Sequence, residues 1–197
     1  MIFNPCGEEL LHCVKCKELA GFRSQVVPAN IVSKGVGDKP LIMYVARNPG
    51  RTEDAEGEPL IGRAGKVLRE ITEPYYDRAM FVWNNMVKCW TPGDREPYQH
   101  EIDNCKPYIE REIDVAEPDA IVYFGLMAQE SAGFKKEERH SLRAITRNYR
   151  PILLTSTYHP SYAARGNKEA RQRIATDIGV VVRAAELLKS AEKRAEG

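Results

Sequence analysis

The sequence predicts a three-layer α/β/α sandwich, in which helices cover both faces of a short, mainly parallel sheet of four strands. Short apolar runs alternate along the chain with longer segments of helical periodicity, which is the pattern of such folds. The apolar runs are continuous, as in strands that are buried on both faces of a parallel sheet. A chain of 197 residues is long enough for one such domain and short for two.

Each predicted strand is bounded by Gly, Pro or polar residues. The strands are Leu41–Ala46, Met80–Trp83, Ala120–Gly125 and Ile152–Ser156. The helices are Ala64–Glu73, Tyr98–Glu117, Leu126–Ala132 and Lys168–Leu188. We therefore expect a single domain over residues 1–197, in which the polar stretch 190–197 is a fraying tail.

Three segments that follow predicted strands are expected to form one site. Ligands of parallel sheets bind beyond the carboxyl ends of the strands. In this chain the corresponding segments are Arg47–Gly50, Asn84–Cys89 and Thr157–Arg165.

Composition and charge exclude several kinds of protein. No stretch approaches the ~20 apolar residues of a membrane-spanning helix. The N-terminus has no basic region followed by an apolar one, so no secretory signal is predicted. The net charge is only +1, so nucleic acid would have to bind through a local patch. We expect a cytoplasmic, monomeric protein.

Four of the five cysteines fall into two spaced pairs. Cys13 and Cys16 form a C-x-x-C motif, and Cys89 and Cys105 have fifteen residues between them. Because the cytosol keeps thiols reduced, this arrangement favours a metal site over disulfides. Four thiolates can hold a tetrahedral zinc ion or a [4Fe–4S] cluster, and the spacing leaves both open. Cys6 is interpreted as a structural thiol.

Several motifs in a fixed order accompany the cysteines. They are NPGRTED and GEPLIGRAG over Asn48–Gly65, NMVKC over Asn85–Cys89, PGDREP over Pro92–Pro97, CKPY over Cys105–Tyr108, and YHPSYAAR over Tyr158–Arg165. Together they resemble family 4 uracil-DNA glycosylases, from Cys13 to Arg165. The resemblance implies a [4Fe–4S] cluster held by the two cysteine pairs, rather than zinc. It also implies a DNA repair enzyme that hydrolyses the N-glycosidic bond of uracil, in single- or double-stranded DNA, and leaves an abasic site.

The resemblance assigns roles to individual residues. Asn85 reads the base, because its amide can donate to uracil O4 and accept from N3–H. His159 donates a hydrogen bond near O2 and so stabilises the negative charge on the departing uracil. Since the base must first leave the helix, grips on the DNA backbone are needed. Arg63, Ser161 and Arg165 are the candidates for these contacts.

Two positions depart from the family 4 pattern. Arg47 stands where that family carries a glutamate, and Asn48 stands where mismatch-specific (family 2) enzymes carry an Asn that positions the attacking water. We expect Asn48 to orient water and Arg47 to lie at the substrate pocket, as a DNA-backbone contact, a salt-bridge partner or a plug. Leu60 replaces an aromatic residue that stacks on the flipped uracil, and loses about 1–3 kcal/mol of stacking.

Other functions stay open at this point. A relative that has lost its chemistry would bind DNA without forming an abasic product. A glycosylase for another mismatched or modified pyrimidine is favoured by Asn48, and an electron-transfer iron–sulfur protein has less support. The loop Trp90–Pro97 lacks a basic insertion, so covalent cross-linking to DNA is not predicted, and Lys135–His140 is expected to be a solvated loop.

Overall fold

A seven-stranded sheet lies at the centre of the fold. The computed structural model describes residues 1–32 and 38–196. The strands are β1 Ile2–Phe3, β2 Ala29–Val32, β3 Leu41–Ala46, β4 Met80–Asn85, β5 Ala120–Phe124, β6 Leu142–Arg147 and β7 Arg150–Thr157. Their order across the sheet is β1-β2-β4-β3-β5-β7-β6.

The four predicted strands are all present, as the contiguous parallel centre β4-β3-β5-β7. The predicted number of strands was wrong. Three more strands pair antiparallel at the edges, β2 and β1 beyond β4, and β6 beyond β7. Such edge strands carry no continuous apolar signal, since β1 has only two residues and β6 is largely exposed.

Eight α-helices occur in the described part of the chain. They are α1 Gly7–Leu11, α2 Lys17–Phe22, α3 Arg51–Glu56, α4 Arg63–Thr72, α5 Gln99–Ala116, α6 Leu126–Ser131, α7 Pro160–Ala164 and α8 Lys168–Glu196. The four predicted helices correspond to α4, α5, α6 and α8. The structure continues α8 through 190–196, where the sequence predicts a fraying tail, and residue 197 lies outside the described residues. None of the helices in the described ranges combines the length and apolar character needed to cross a membrane.

The two faces of the sheet bury separate apolar cores. Ile42, Tyr44 and Ala46 of β3 belong to a core that includes residues of α4 and α8. Met43 and Val45 belong to a core that includes residues of α5 and α6. Successive strand residues point to opposite faces, so covering both faces requires an unbroken apolar run. The predicted three-layer arrangement is thereby confirmed.

The N-terminal segment packs against the first ten residues of α5 in a third, smaller core. Leu10, Leu19, Val26 and Tyr108 contribute to it, together with the cysteines. Asp54 of α3 ties this segment to the main domain, because its buried carboxylate accepts the backbone N–H of Ser24 at 2.9 and 3.1 Å. The segment that carries Cys13 and Cys16 is therefore anchored next to the loop after β3.

The segment Lys135–His140 is only partly the solvated loop that the sequence predicts. Lys135 and Lys136 are exposed. His140 is mostly buried, with 17% of its side chain exposed, and its Nδ1 lies 2.6 Å from a carboxylate oxygen of Asp177 on α8. The prediction was wrong for His140, because a long-range hydrogen bond to Asp177 holds it against the domain.

Candidate active site

A cavity of about 320 Å³ opens at the carboxyl ends of the parallel strands. It brings together most of the residues that the sequence selected, which are Arg47, Asn48, Leu60, Arg63, Asn85 and His159. Ser161 and Arg165 line an adjoining cavity of about 590 Å³, which shares Arg47 and His159 with the first. The three segments that follow β3, β4 and β7 thus meet at one rim.

Asn85 is the last residue of β4 and is almost completely buried. Its side-chain Nδ2 is buried without a hydrogen-bond partner among the described residues. A buried donor that is left unpaired is costly, so such groups are rare in folded proteins and frequently serve a ligand. The amide therefore has a free donor with which to bind a carbonyl oxygen.

His159 lies between β7 and α7, where its ring caps the helix. The backbone N–H of Ser161 donates to Nδ1 at 3.2 Å, and Ser161 Oγ lies 2.9 Å from the same atom. Because the backbone N–H can only donate, Nδ1 must be unprotonated, and the proton of the neutral ring is on Nε2. Burial, and then the charges of Arg47 and Arg165, lower the pKa of His159 to about 4. His159 is thus a neutral donor at pH 7.

Gly125 allows this histidine to approach the sheet. Its φ of +88° lies in the region that favours glycine, and a Cβ at this position would lie 3.1 Å from the Cβ of His159.

Arg47 and Asn48 form one hydrogen-bonded unit on the rim. Arg47 Nε donates to Asn48 Oδ1 at 2.7 Å, and Nη1 lies 3.5 Å from the carboxylate of Glu96. The Asn48 amide group in turn donates to Thr91 Oγ1 at 3.3 Å. Three roles were considered for Arg47. The structure shows one of them, the salt bridge, and its partner Glu96 is exposed. Asn48 Oδ1 keeps a second lone pair that can accept from water.

Leu60 is buried in the loop before α4 and adopts a φ of +57°. Its carbonyl presses against the first turns of α4, where a Cβ at Gly65 would lie only 1.7 Å from Leu60 O. Leu60 also belongs to the core on the α4 side of the sheet. A residue that is packed on both sides in this way presents a fixed apolar surface to the cavity.

Glu53 is a site residue that the sequence reasoning missed. Its carboxylate accepts the backbone N–H groups of Gly50 at 3.2 Å and of Gly62 at 2.8 Å, and so joins the two loops of the first motif. A Cβ at Gly50 or Gly62 would lie 2.9 or 3.0 Å from a Glu53 carboxylate oxygen, which explains both glycines. Glu at the third position of α3 is a capping signal that the sequence contained. The backbone N–H of the Gly62 turn, at the start of α4, is therefore already occupied by this carboxylate.

The three predicted DNA contacts differ in their availability. Arg63 and Arg165 are exposed, and neither guanidinium has an ion-pair partner within residues 1–32 and 38–196. The Arg165 guanidinium lies 4.9 Å from the centre of the Tyr162 ring. Ser161 Oγ, in contrast, is within hydrogen-bond distance of His159 Nδ1. The two arginines are free to bind phosphate, and the serine positions the histidine.

All five cysteines lie in or against the small N-terminal core. Cys6, Cys16, Cys89 and Cys105 are buried, and Cys13 is half-buried. No group of three or more His, Cys, Asp or Glu side chains within the described ranges is arranged to hold a single metal ion. Burial raises the pKa of Cys89 to about 11 and that of Cys105 to about 12, so without a metal both are neutral thiols at pH 7.

Hydrogen-bond donors lie beside all four paired cysteines, and for Cys13 the donor is the side chain of Tyr108. Arg23 Nη1 donates to Cys89 Sγ at 3.0 Å, and Asn104 Nδ2 donates to Cys16 Sγ at 3.4 Å. The backbone N–H of residue 88 donates to Cys105. Donors of this kind suit sulfur atoms that carry negative charge, as metal-bound thiolates do. Cys6 lies outside the two pairs; its Sγ is 3.9 Å from the carbonyl of Tyr108 and also interacts with the Arg111 side chain.

Comparison with known sequences identifies the class of protein to which this fold and pocket belong. The model of the Uracil DNA glycosylase superfamily matches residues 34–178. The type-4 uracil-DNA glycosylase of Sulfurisphaera tokodaii is 35% identical over 182 residues, covering 87% of this chain and 79% of the relative. That of Saccharolobus solfataricus is 33% identical over 185 residues, covering 87% and 81%. This chain belongs to the type-4 uracil-DNA glycosylase family, as the motifs indicated.

The depressed pKa of His159 gives a first prediction. The pKa of about 4 is the pH at which half of the His159 rings are protonated. An ordinary histidine titrates between about pH 5 and 8, and in this range the His159 ring should stay neutral, with its proton on Nε2. NMR titration of the ring nitrogens measures both properties. Arg47→Met should raise the pKa toward 6.5, because it removes a neighbouring positive charge. A wild-type titration midpoint near 6.5 would contradict this account of the site.

Proposed function

We propose that this protein removes uracil from DNA by hydrolysing the N-glycosidic bond, leaving an abasic site. The observation that carries the proposal is the unpaired, buried Nδ2 of Asn85 in the same cavity as the neutral donor His159. A pocket with one donor for each of two carbonyl groups suits a base such as uracil. Membership of the type-4 family supports the same reaction.

Asn85 would select the base. Its Nδ2 would donate to uracil O4 and its Oδ1 would accept from N3–H. Cytosine presents an amino group and an unprotonated nitrogen at these two positions, so both contacts would fail. A site whose buried polar groups are left unpaired by the wrong ligand rejects that ligand by several orders of magnitude. Leu60 would cover one face of the flipped base.

His159 and Asn48 would carry the chemical step. As the bond from C1′ to N1 breaks, the electron pair leaves with uracil, and the Nε2–H of His159 would stabilise the charge that develops on O2. Asn48 Oδ1, held by Arg47, would orient the water whose oxygen bonds to C1′. Asparagine cannot take the water proton at neutral pH, so the site relies on the reactivity of the cationic sugar. No lysine lines the described cavity, which argues against a Schiff-base lyase step.

Arg63 and Arg165 would hold the DNA on either side of the flipped nucleotide. Both are exposed and lie on cavities that share His159. Two phosphate contacts position a strand without reading its sequence, so single- and double-stranded DNA are both compatible with the site. The enzyme would be monomeric, consist of a single domain and act in the cytoplasm.

The two cysteine pairs would hold a [4Fe–4S] cluster. Arg23 and Asn104 already donate to two of the sulfur atoms. When bound, the cluster would supply a structural cross-link between the N-terminal segment and α5.

The catalytic assignment predicts the loss of excision in two single variants. His159→Ala and Asn85→Ala should each lower kcat by on the order of 10²–10³-fold, as removal of one preorganised donor typically does. The measurement is a single-turnover time course on uracil in single-stranded DNA and in U:A, U:G and T:G duplexes, with alkaline cleavage of abasic sites. His100→Ala is the matched control, because His100 is exposed at the start of α5, outside the cavity.

Three results of this time course would contradict the assignment. Wild-type protein that binds these DNAs without forming abasic sites would show that the fold has been kept for binding alone. Product from the T:G duplex but from none of the uracil substrates would assign a different lesion. Full activity in either variant would remove that residue from the mechanism.

The cluster assignment predicts the metal content and which cysteines control it. Anaerobically purified protein should contain about four iron and four sulfide ions per chain. Cys13→Ser, Cys16→Ser, Cys89→Ser and Cys105→Ser should each lower the iron content. Cys6→Ser is the matched control and should keep it, because Cys6 is also buried in the small core but lies outside the two spaced pairs. Bound zinc in place of iron, or loss of iron in Cys6→Ser, would refute the assignment.

A further inference from the structure

Three polar side chains are buried directly beneath Asn85. They are Asn84 of β4, Lys88 in the following loop and Glu112 of α5, and none is more than 1% exposed. Asn84 belongs to β4 and Glu112 to α5, so the group is buried between the sheet and this helix. Neither the predicted reaction nor the predicted cluster uses any of them.

The three side chains bond to one another and then to Asn85. Lys88 Nζ lies 2.6 Å from Glu112 Oε2 and also donates to Asn84 Oδ1. Asn84 Nδ2 donates to the same Glu112 oxygen at 2.8 Å. Asn84 Oδ1 in addition accepts the backbone N–H of Asn85 at 2.8 Å. The network therefore ends on the peptide that carries the base-reading amide.

The sheet does not supply this last contact. The pairing of β2 with β4 runs from Phe81 to Trp83 and stops two residues before Asn85. Asn84 Oδ1 thus accepts the backbone N–H of Asn85, which lies beyond the part of β4 that pairs with β2. The side chain of Asn85 has an unpaired Nδ2, so its direction depends on how firmly its backbone is held.

Stability alone does not account for this arrangement. Replacing a buried ion pair with apolar residues of similar volume is often neutral or stabilising, because desolvation offsets the attraction between the charges. Apolar residues at positions 88 and 112 would suit the surrounding core equally well. Apolar residues would not, however, supply the hydrogen bonds that fix the orientation of the Asn84 side chain.

We propose that Asn84, Lys88 and Glu112 form a positioning network that fixes the Asn85 amide and so sets the discrimination of uracil from cytosine. The proposal deepens the proposed function and rests on it. Glu112 lies seven residues after Cys105 on α5, so the network also connects the base-reading strand with the helix that carries a cysteine of the metal site.

Removal of the network tests the proposal. K88M/E112L replaces both charges with apolar groups, and N84A withdraws the acceptor of the Asn85 N–H while keeping the ion pair. In each variant kcat/KM for uracil should fall at least tenfold, and the ratio of uracil to cytosine excision should fall with it, at a temperature where circular dichroism shows folded protein. A purely structural role would lower the melting temperature and leave that ratio unchanged.

An exchange variant tests for rescue. In N84D/E112Q the amide and the carboxylate change places, so the group at position 84 can still accept from Lys88 and from the Asn85 N–H, and the group at position 112 can donate to it. The net charge is unchanged. This variant should keep kcat/KM and the uracil preference within about threefold of wild type. The control R78Q/E186Q removes an ion pair on the surface, remote from the cavity, and should behave as wild type.

Two outcomes would overturn the proposal. One is wild-type kcat/KM and uracil preference in folded K88M/E112L or N84A. The other is an N84D/E112Q variant as impaired as those two.

If wild-type protein excises nothing, the proposed function fails. Binding of single strands that carry 2′-fluoro-deoxyuridine or 2′-fluoro-deoxycytidine then replaces excision as the readout. If wild-type protein binds the deoxyuridine strand more tightly than the deoxycytidine strand, and the variants lose this preference, the result would still support the network. If wild-type protein shows no such preference, the network proposal would be refuted.

Discussion

The parallel pairing of β3 with β4 is the constraint on which the site depends. Its register sets Ala46 opposite Asn85, so the loop that begins with Arg47 and Asn48 starts beside the amide that is proposed to read the base. The backbone N–H groups of Met86 and Val87 extend this pairing by donating to the carbonyls of residues 46 and 47. The strand ends of β5 and β7 then bring His159 to the same rim. A shift in this register would separate the reading group from the residues expected to carry the chemistry.

The charges around the cavity explain how it can work without an acidic residue at position 47. Arg47 binds Asn48, and burial, together with the charges of Arg47 and Arg165, holds the pKa of His159 low, so the histidine remains a neutral donor. Glu53 lines the cavity, but its carboxylate binds the backbone of two loops. The resulting pocket offers neutral donors and a positive charge to a departing anion. Such an environment favours stabilisation of the leaving group over activation of the water by a base.

The sequence predicted those parts of the molecule that depend on local pattern. Continuous apolar runs located the four central strands, whereas β1 and β6 were missed because they are short or exposed. Residues in motifs, such as Asn85 and His159, were found through their resemblance to a family. Residues that act through distant partners were not found. Lys88 and Glu112 are separated by 24 positions, and nothing in the spacing of a lysine and a glutamate indicates that they meet inside a core.

The central claim is that the cavity is a preformed binding site for uracil. A crystal structure of the protein with free uracil tests it most directly. The account predicts uracil in the cavity with O4 within ~3.2 Å of Asn85 Nδ2 and O2 within the same distance of His159 Nε2. Uracil bound elsewhere, or bound in the cavity with the Asn85 amide still unpaired, would contradict it.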